Sequence, residues 1–331
     1  MQKSIAYLLQ KKSISKGNLI SIVMPLYNEE KSLPFVIEEL AQFLPNALPK
    51  YNFEITFIDD CSKDNSYSII KTASQKEYGN IKFSIAQLAK NSGSHIAITA
   101  GINLARGEFI IIMASDGQDP AEVILQLINE WEAGNDLILA SRKDNLDQSV
   151  ISKKISRIAW KLMNWGTGIM MPETGCDLLG MDKKVATAFN NMDERNTTFI
   201  FRILSLGFKQ KEIQYVKRAR VAGSSKWTFI KKISIMIDAI TGFSSRPLKL
   251  ITNLGLSIFL ILMLRWIYIV YKIYILKQTA TDTTIVVNTV FTALAIQVLI
   301  LGVIGNYIWR VLDESRKRPL YEINNTDGQT F

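Results

Sequence analysis

The sequence is poor in cysteine, histidine and proline. Its 331 residues include only 2 Cys, 1 His and 8 Pro. Two cysteines, Cys61 and Cys176, are too few for a disulfide framework. The single histidine, His95, excludes a multi-histidine metal site, so a bound metal would need oxygen ligands. His95 lies in a helical pattern among apolar neighbours, which favours a structural or solvent-facing role over that of a general base. A content of 48% hydrophobic residues excludes a disordered or collagen-like chain.

Acidic residues are also scarce, and the balance of charge is uneven along the chain. There are 39 Lys and Arg against 30 Asp and Glu, a net charge of +9. Residues 217–249 hold eight of the cations and one acid, Asp238, which is a net charge of +7 in one segment. Its position beside the apolar C-terminal segments favours an anionic membrane surface over nucleic acid as partner. For Lys217, Arg218, Lys231 and Lys232, a plain solvated face is an alternative interpretation.

Long apolar runs are absent from the first 249 residues, but two follow. Residues 250–276 and 285–309 form runs of 27 and 25 residues, each long enough to span a bilayer. Basic residues flank both outer ends, which predicts cytoplasmic termini. The N-terminus lacks a signal-peptide pattern, so the catalytic part is expected in the cytosol, at the cytoplasmic (inner) membrane. An amphipathic pattern over 226–247 predicts an interfacial helix. The predicted parts of the chain are therefore a domain at 18–225, this helix, and a span region at 248–312. The tails are 1–17 and 313–331.

Five β-branched runs alternate with helical patterns in the first half of the chain. This alternation predicts an α/β fold with a mostly parallel central sheet covered by helices on both faces. Ligands of such sheets bind outside the carboxyl ends of the strands. The predicted strands are 20–24, 53–58, 81–86, 109–113 and 137–140.

Acidic and amide side chains follow three of the predicted strands, at 25–30, 59–64 and 115–119. Carboxylates gathered at one edge repel each other unless a divalent cation neutralises them, and oxygen ligands favour Mg²⁺ or Mn²⁺. Such ions are commonly shared with a diphosphate, which makes a nucleoside diphosphate the natural ligand. The alternative is that some of these residues only form turns or cap helices; it applies to Asp60, Ser62, Asp64 and Asp119.

Several short motifs occur in a characteristic order. Together with the two apolar C-terminal segments they resemble the family-2 glycosyltransferases of the GT-A fold, in the branch that transfers sugars to polyprenyl phosphates. The resemblance covers nearly the whole chain and implies a GT-A domain followed by an interfacial helix and a two-helix transmembrane hairpin. The motifs are VMPLYNEE (23–30), IDDCSKD (58–64), NSGSHIAITAGINLARGE (91–108), SDGQDPAE (115–122), ASR (140–142), ETGC (173–176), ERNTTFI (194–200) and RVAGSSKW (220–227).

The resemblance implies a role for individual residues. Asp116 matches the second acid of the family's metal-binding DxD motif, and Gln118 is the second expected ligand of Mg²⁺ or Mn²⁺. Arg142 is expected to face the acceptor phosphate, and Arg220 and Lys226 to hold the donor diphosphate or the acceptor phosphate; these three and Asp116 are the expected catalytic residues. The residues expected to border the nucleotide sugar are Pro25, Tyr27, Asn28, Glu29, Asp59, Asp60 and Asp116.

The implied activity is inverting transfer of a sugar from a nucleotide sugar, UDP-linked by closer resemblance, to undecaprenyl or another polyprenyl phosphate. One departure from the family pattern stands out, because Ala114 replaces the first acid of DxD. Mg²⁺ often takes only one or two protein carboxylates, so activity is still expected. Two alternatives stay open: a non-lipid acceptor, or a nucleotide-sugar-binding protein with impaired catalysis. Asp119 and Glu173 are further candidates for contacting sugar hydroxyls, and homo-oligomers could form through the C-terminal segments.

Overall fold

A computed structural model describes residues 18–143, 178–192, 198–218, 283–316 and 318–328, with single residues between 161 and 176 and between 253 and 275. Eight strands of these residues form one sheet. The strands are β1 (Leu19–Leu26), β2 (Asn52–Asp59), β3 (Ile81–Leu88), β4 (Phe109–Ile112), β5 (Leu137–Arg142), β6 (Leu178–Asp182), β7 (Gln210–Tyr215) and β8 (Ile323–Gly328). The helices are α1 (Leu33–Ala47), α2 (Ser66–Ser74), α3 (Ser94–Leu104), α4 (Glu122–Glu132), α5 (Lys183–Asn190), α6 (Phe199–Ser205) and α7 (Thr283–Ser315).

The sheet is mostly parallel, as predicted. Its strand order is β7-β5-β6-β4-β1-β2-β3-β8. Strands β6 and β8 run antiparallel to their neighbours, whereas the other pairings are parallel. The five predicted strands are confirmed as β1 to β5. Strands β6, β7 and β8 were not predicted, and β8 lies within the predicted C-terminal tail, 313–331.

Helices cover both faces of the sheet and define two apolar cores. Helices α1, α2 and α4 pack on one face, and α3, α5 and α6 pack on the other. Alternate residues of one strand belong to different cores, as in Ile22 and Val23 of β1, because successive side chains of a strand point to opposite faces. Helix α3 lies so close to β1 that a Cβ on Gly101 would be 2.1 Å from Cγ1 of Val23.

Amphipathic spacing explains why these segments are helical. Helix α1 buries Leu33, Val36, Leu40 and Leu44, which recur at the three- and four-residue intervals of one helix face. Pro34 in the first turn costs no helical hydrogen bond, because proline lacks an N–H and the first N–H groups of a helix have no acceptor within it. Burial of these side chains fixes the sheet, and with it the positions of the loops at the carboxyl ends of the strands.

The predicted membrane segments are described only in part. Among the residues that the structure describes, no helix has both the length and the apolar character needed to cross a membrane. The second predicted span, 285–309, falls within α7, which has 33 residues. The first span, 250–276, is described at isolated positions, and the predicted interfacial helix at 226–247 lies outside the described residues. The transmembrane hairpin is therefore not confirmed.

Candidate active site

Loops from five parallel strands meet at one edge of the sheet and contain most of the predicted site residues. They form two groups. The β1–β2 end consists of residues 25–30 and 59–66, which follow β1 and β2. The β4–β7 end consists of residues 115–119 and 215–218, which follow β4 and end β7, together with Arg142 at the end of β5. This placement agrees with the rule that ligands bind at the carboxyl ends of parallel strands.

At the β1–β2 end, the two turns are bonded to each other. The Asn28 backbone N–H donates to Oγ of Ser62 at 2.9 Å, and the Lys63 N–H donates to Oδ1 of Asn28 at 2.8 Å. Both turns contain a residue in the left-handed region, Asn28 with φ 54° and Cys61 with φ 61°, a conformation that costs most residues energy. Two such residues in turns that are bonded to each other indicate that the backbone beside the predicted nucleotide-binding residues is held in one conformation.

Asp59 and Asp60 are both buried, and each uses its carboxylate within the fold. Asp59 accepts hydrogen bonds from the Ser62 N–H at 2.9 Å and from Nε2 of Gln87 at 2.8 Å. Asp60 accepts from the N–H groups of Ser92 at 2.6 Å and Gly93 at 2.8 Å, just before α3. Burial raises the pKa of Asp60, although these two hydrogen bonds oppose the rise. The two carboxylates thus organise the loops around them.

The turn-forming interpretation holds for two further residues of this end. Oδ1 of Asp64 accepts from the N–H of Ser66 at 3.0 Å and from its hydroxyl at 2.6 Å, next to the start of α2. Ser62 accepts from Asn28, as described above. Pro25 and Tyr27 lie beside these turns, half-buried, and the Pro25 carbonyl accepts a hydrogen bond from Oγ of Ser115 at 2.9 Å. That contact links the β1–β2 end to the loop that contains Asp116.

At the β4–β7 end, Asp116 and Gln118 occupy one tight turn with Gly117 at φ 73°. The Gln118 N–H donates to Oδ1 of Asp116 at 3.1 Å. The Gln118 side chain donates from Nε2 to the Arg218 carbonyl at 3.3 Å, and the Arg218 N–H donates to the Gln118 carbonyl at 2.9 Å. These bonds join the turn to the strand end of β7. Because the amide nitrogen of Gln118 is used in this way, its oxygen is the atom suited to a metal.

A buried charged cluster adjoins this turn. Asp119 is fully buried, and its Oδ1 accepts a hydrogen bond from the Tyr215 hydroxyl at 2.6 Å. Nζ of Lys217 lies 3.6 Å from the same oxygen, and only 12% of the Lys217 side chain is exposed. The pKa of Lys217 is lowered, chiefly by burial and also by the charge of Arg142. The charges of Asp119 and Asp116 oppose this change. Burial and the Asp119 charge both raise the pKa of the Tyr215 hydroxyl.

The solvated-face interpretation is wrong for Lys217, and Arg218 is also engaged. Arg218 forms ion pairs with Glu39 at 2.6 Å and with Glu122 at 3.1 Å, which fasten the end of β7 to α1 and α4. A net positive segment suggests solvent exposure by itself. Here the sheet brings acidic side chains from remote parts of the chain against its first two cations, and of the two it is Lys217 that is largely buried.

The remaining predicted residues lie at the β1–β2 end, on α3 or outside the described residues. Glu29 lies at the β1–β2 end, where its N–H donates to Oγ of Ser66 at 2.9 Å. His95 is on α3 with its ring centroid 5.5 Å from that of Phe199, and burial lowers its pKa to about 4. This environment agrees with a structural role. Arg220, Lys226 and Glu173 lie outside the described residues.

Sequence patterns did not reveal Gln87, Tyr215 or the ion pairs of Lys217 and Arg218. A signal for Gln87 was present, because it directly follows the predicted strand 81–86 and polar residues at strand ends were the criterion for the other candidates. No such signal marked Tyr215, since β7 itself was not predicted. Among the described residues, no three His, Cys, Asp or Glu side chains are grouped so as to hold a metal.

Comparison with known proteins places this site in a family. Residues 21–185 match the model of Glycosyl transferase family 2. The chain is 35% identical over 318 residues to the uncharacterized glycosyltransferase YkcC of Bacillus subtilis, covering 93% of this chain and 94% of YkcC. It is 32% identical over 307 residues to the bactoprenol glucosyl transferase of Shigella phage SfV, covering 92% and 98%.

A third relative has a comparable overlap. The undecaprenyl-phosphate 4-deoxy-4-formamido-L-arabinose transferase of Proteus mirabilis is 30% identical over 318 residues, covering 96% of each chain. These matches span both the sheet and the C-terminal segments, and the α/β sheet described above is GT-A-like. The chain is thus a glycosyltransferase and belongs to glycosyltransferase family 2.

Proposed function

We propose that the protein transfers a sugar from a nucleotide sugar to a polyprenyl phosphate, with inversion at the anomeric carbon and release of a nucleoside diphosphate. The observation that carries the proposal is the cluster at the β4–β7 end, where Lys217 lies 3.6 Å from Asp119 and the charges of Arg142 and Asp116 act on Lys217. Two relatives support the acceptor, since they are named for transfer to bactoprenol and to undecaprenyl phosphate. UDP is the nucleotide that we propose for the donor.

The reaction needs positioning and charge more than it needs a base. The second pKa of a phosphate monoester is about 6, so the acceptor phosphate is already largely ionised at neutral pH. Binding it in line with the anomeric carbon removes much of the entropic part of the barrier. In this proposal Arg142, Arg220 and Lys226 hold phosphate oxygens, while fixed positive charge at the β4–β7 end favours departure of the nucleoside diphosphate.

The residues present fit a divalent cation. Asp116 is 7% exposed and shares its turn with Gln118, so a carboxylate and an amide oxygen are available at one point. Mg²⁺ usually takes one or two protein carboxylates and completes its shell with phosphate and water oxygens, which is compatible with Ala114 in place of an acid. Bound Mg²⁺ or Mn²⁺ would act as a Lewis acid on the departing phosphates. Asp116 and Gln118 would hold it.

A lipid acceptor also requires a membrane, and we propose that the chain acts at the cytoplasmic face of the cytoplasmic membrane. The net charge of +7 over residues 217–249 would attract anionic headgroups. Described side chains of α7 such as Val286, Leu301 and Ile308 are large, apolar and between 59% and 63% exposed, which is unusual for a surface in water. We propose membrane spans at 250–276 and 285–309, with both termini in the cytoplasm. Contacts between copies through these segments could produce homo-oligomers.

The test is transfer of radiolabel from a panel of UDP- and GDP-sugars to undecaprenyl phosphate by the full-length protein in detergent, with Mg²⁺, Mn²⁺ or EDTA. A labelled lipid that forms with metal and is lost in EDTA is the expected result, and it identifies the donor. If a nucleotide sugar binds but no acceptor is labelled, the impaired binding protein suggested by Ala114 replaces the proposal. Label on a glycan or protein instead of the lipid would overturn the acceptor.

The proposed phosphate-binding role of Lys226 gives a direct prediction. Lys226→Ala should remove most of the transfer activity, about 100-fold, because a fixed charge on the reacting phosphates is lost. Association with vesicles containing anionic lipid should persist, since one cation of eight in the basic segment is removed. Lys231→Ala is the matched control. Normal turnover by Lys226→Ala would disprove the role.

A further inference from the structure

The C-terminal strand β8 is fastened to the catalytic sheet by contacts on both of its faces. It pairs antiparallel with β3 at the edge of the sheet, from Ser84 opposite Gly328 to Leu88 opposite Ile323. On one face, Asp327 accepts a hydrogen bond from the Tyr67 hydroxyl at 2.6 Å and pairs with Lys71 of α2 at 3.1 Å. On the other face, just before β8, the Tyr321 hydroxyl accepts from Asn103 of α3 at 2.8 Å. These contacts involve three elements of the catalytic domain.

The end of β8 depends on a glycine. Gly328 has φ +128°, a conformation that other residues rarely adopt. A Cβ at this position would lie 2.5 Å from the Cα of Ser84 and 2.7 Å from the Phe83 carbonyl oxygen. The backbone of β8 thus approaches β3 more closely than a side chain would allow. Gly328 is therefore the residue that allows β8 to pair with β3 at this point.

A line of hydrogen bonds leads from β8 to the β1–β2 end. Nδ2 of Asn325 donates to Oε1 of Gln87 at 3.3 Å, and Nε2 of Gln87 donates to Oδ2 of Asp59 at 2.8 Å. The other oxygen of Asp59 accepts from the Ser62 N–H. The register of β3 with β8 shifts between Gln87 and Leu88, and irregularities of this kind often redirect a side chain next to a functional site.

We propose that Gln87 is a positioning residue for the donor nucleotide, held in its working orientation by Asn325 of β8. An amide side chain has one donor end and one acceptor end. With Oε1 bonded to Asn325, the nitrogen is directed at Asp59, which keeps that carboxylate fixed. The inference rests on the proposed function, in which Asp59 borders the nucleotide. It makes the segment that follows α7 a part of the donor site.

The consequence is specific to donor binding. Loss of the Gln87 amide removes a partner of Asp59, and loss of the Asn325 amide leaves that partner without a fixed orientation. In both cases the carboxylate of Asp59 has to be ordered when the nucleotide binds. The neutral hydrogen bond between Asn325 and Gln87 corresponds to about a threefold to tenfold change in affinity, and the bond from Gln87 to the Asp59 carboxylate to at least as much. The reacting phosphates are held at the β4–β7 end, and the rate of transfer by the saturated enzyme should be unchanged.

The experiment measures UDP binding by calorimetry, and donor KM and kcat by label transfer, with the full-length protein in detergent. Asn325→Ala should weaken UDP binding and raise donor KM about threefold to tenfold, and Gln87→Leu at least as much, with kcat within about twofold of normal in both variants. The double variant should be no worse than Gln87→Leu, because both changes interrupt one connection. The matched control is Thr326→Ala, at the adjacent exposed position of β8.

Each outcome has a distinct meaning. Asn325 is exposed, so its truncation should leave the fold intact even if Gln87→Leu does not fold. Unchanged UDP affinity in Asn325→Ala, or a loss of kcat with KM unchanged, overturns the inference and leaves the proposed function standing. If the unaltered protein binds neither UDP nor GDP and labels no lipid, the proposed function fails, and the inference that depends on it fails as well.

Discussion

The two ends of the site use their acidic residues in different ways. At the β1–β2 end, Asp59 and Asp60 accept hydrogen bonds mainly from backbone N–H groups of nearby loops. At the β4–β7 end, Asp119 accepts a hydrogen bond from Tyr215, the last residue of β7, and lies near Lys217, which follows that strand. Both residues come about 100 residues later in the chain than Asp119. The first end joins turns and loops that lie about 30 residues apart in the chain. The second exists only once β7 has joined the sheet.

This difference suggests a division of work. Backbone amides give a rigid and neutral environment that suits recognition of a base and a ribose. Side-chain cations give positive charge, which suits phosphate groups. Lys217 and Arg218 also begin the basic segment that continues to Arg220 and Lys226, so their contacts with Asp119, Glu39 and Glu122 fix the point from which the predicted phosphate-binding loop starts.

The largest expected effect concerns the metal ligand at the β4–β7 end. Asp116→Asn should lower kcat/KM for sugar transfer about 100-fold or more, because it removes the only carboxylate expected on the cation. The measurement is label transfer over a titration of Mg²⁺ and Mn²⁺. The control is Asp136→Asn, which alters an acid that precedes β5, at the opposite edge of the sheet, and is paired with Lys184. Full activity of Asp116→Asn at low metal concentration would contradict the assignment.

The next effect tests the buried pair directly. Lys217→Met removes the cation beside fully buried Asp119 and should lower transfer about tenfold, with a loss of stability greater than that of an exposed pair. Lys184→Met is the matched control, since Lys184 pairs with Asp136 at 2.5 Å but is 44% exposed. Activity and thermal midpoint are compared for both variants. Equal behaviour of the two would remove the distinction between Lys217 and a surface lysine.

The β1–β2 end should respond in stability. Asp60→Asn retains one carbonyl oxygen for the two N–H groups of Ser92 and Gly93, which should lower the free energy of unfolding by about 1–3 kcal/mol. Urea unfolding of the detergent-solubilised protein measures the change. UDP affinity is determined on the same sample. A variant with unaltered stability but abolished UDP binding would show that Asp60 contacts the nucleotide directly. It would contradict the statement that the acids of the β1–β2 end are used within the fold.

The smallest effect is a dependence of stability on pH. Burial lowers the pKa of His95 to about 4 in the folded protein, against about 6.5 in the unfolded chain. The unfolded state therefore takes up a proton first as the pH falls, and stability contributed above pH 6.5 is lost progressively towards pH 4. Thermal midpoints from pH 7.5 to pH 4.5 should decline less steeply in His95→Gln. Parallel declines would place His95 in solvent.

The sequence was informative where local patterns sufficed. Runs of β-branched residues marked β1 to β5, and polar residues after three of them identified the edge that contains Asp59, Asp60 and Asp116. Strand β6 was missed because its two leucines are followed by Gly180, so it lacks the continuous apolar run that marks β4. Strand β7 has an exposed, polar face, with Tyr215 as its buried residue, so it lacks the continuous apolar run that marks a central strand.

The sequence by itself determined the family, the mostly parallel sheet and the edge at which the chemistry is expected, because these depend on short motifs and on the spacing of apolar residues. Only the tertiary structure decided which charges are buried and paired. Lys217 and Arg218 are indistinguishable in sequence from other cations of the basic segment, but the sheet brings acids from α1, α4 and the β4 loop against them. The connection of Asn325 to Asp59 through Gln87 likewise depends on strand pairing, since 238 residues separate Gln87 from Asn325.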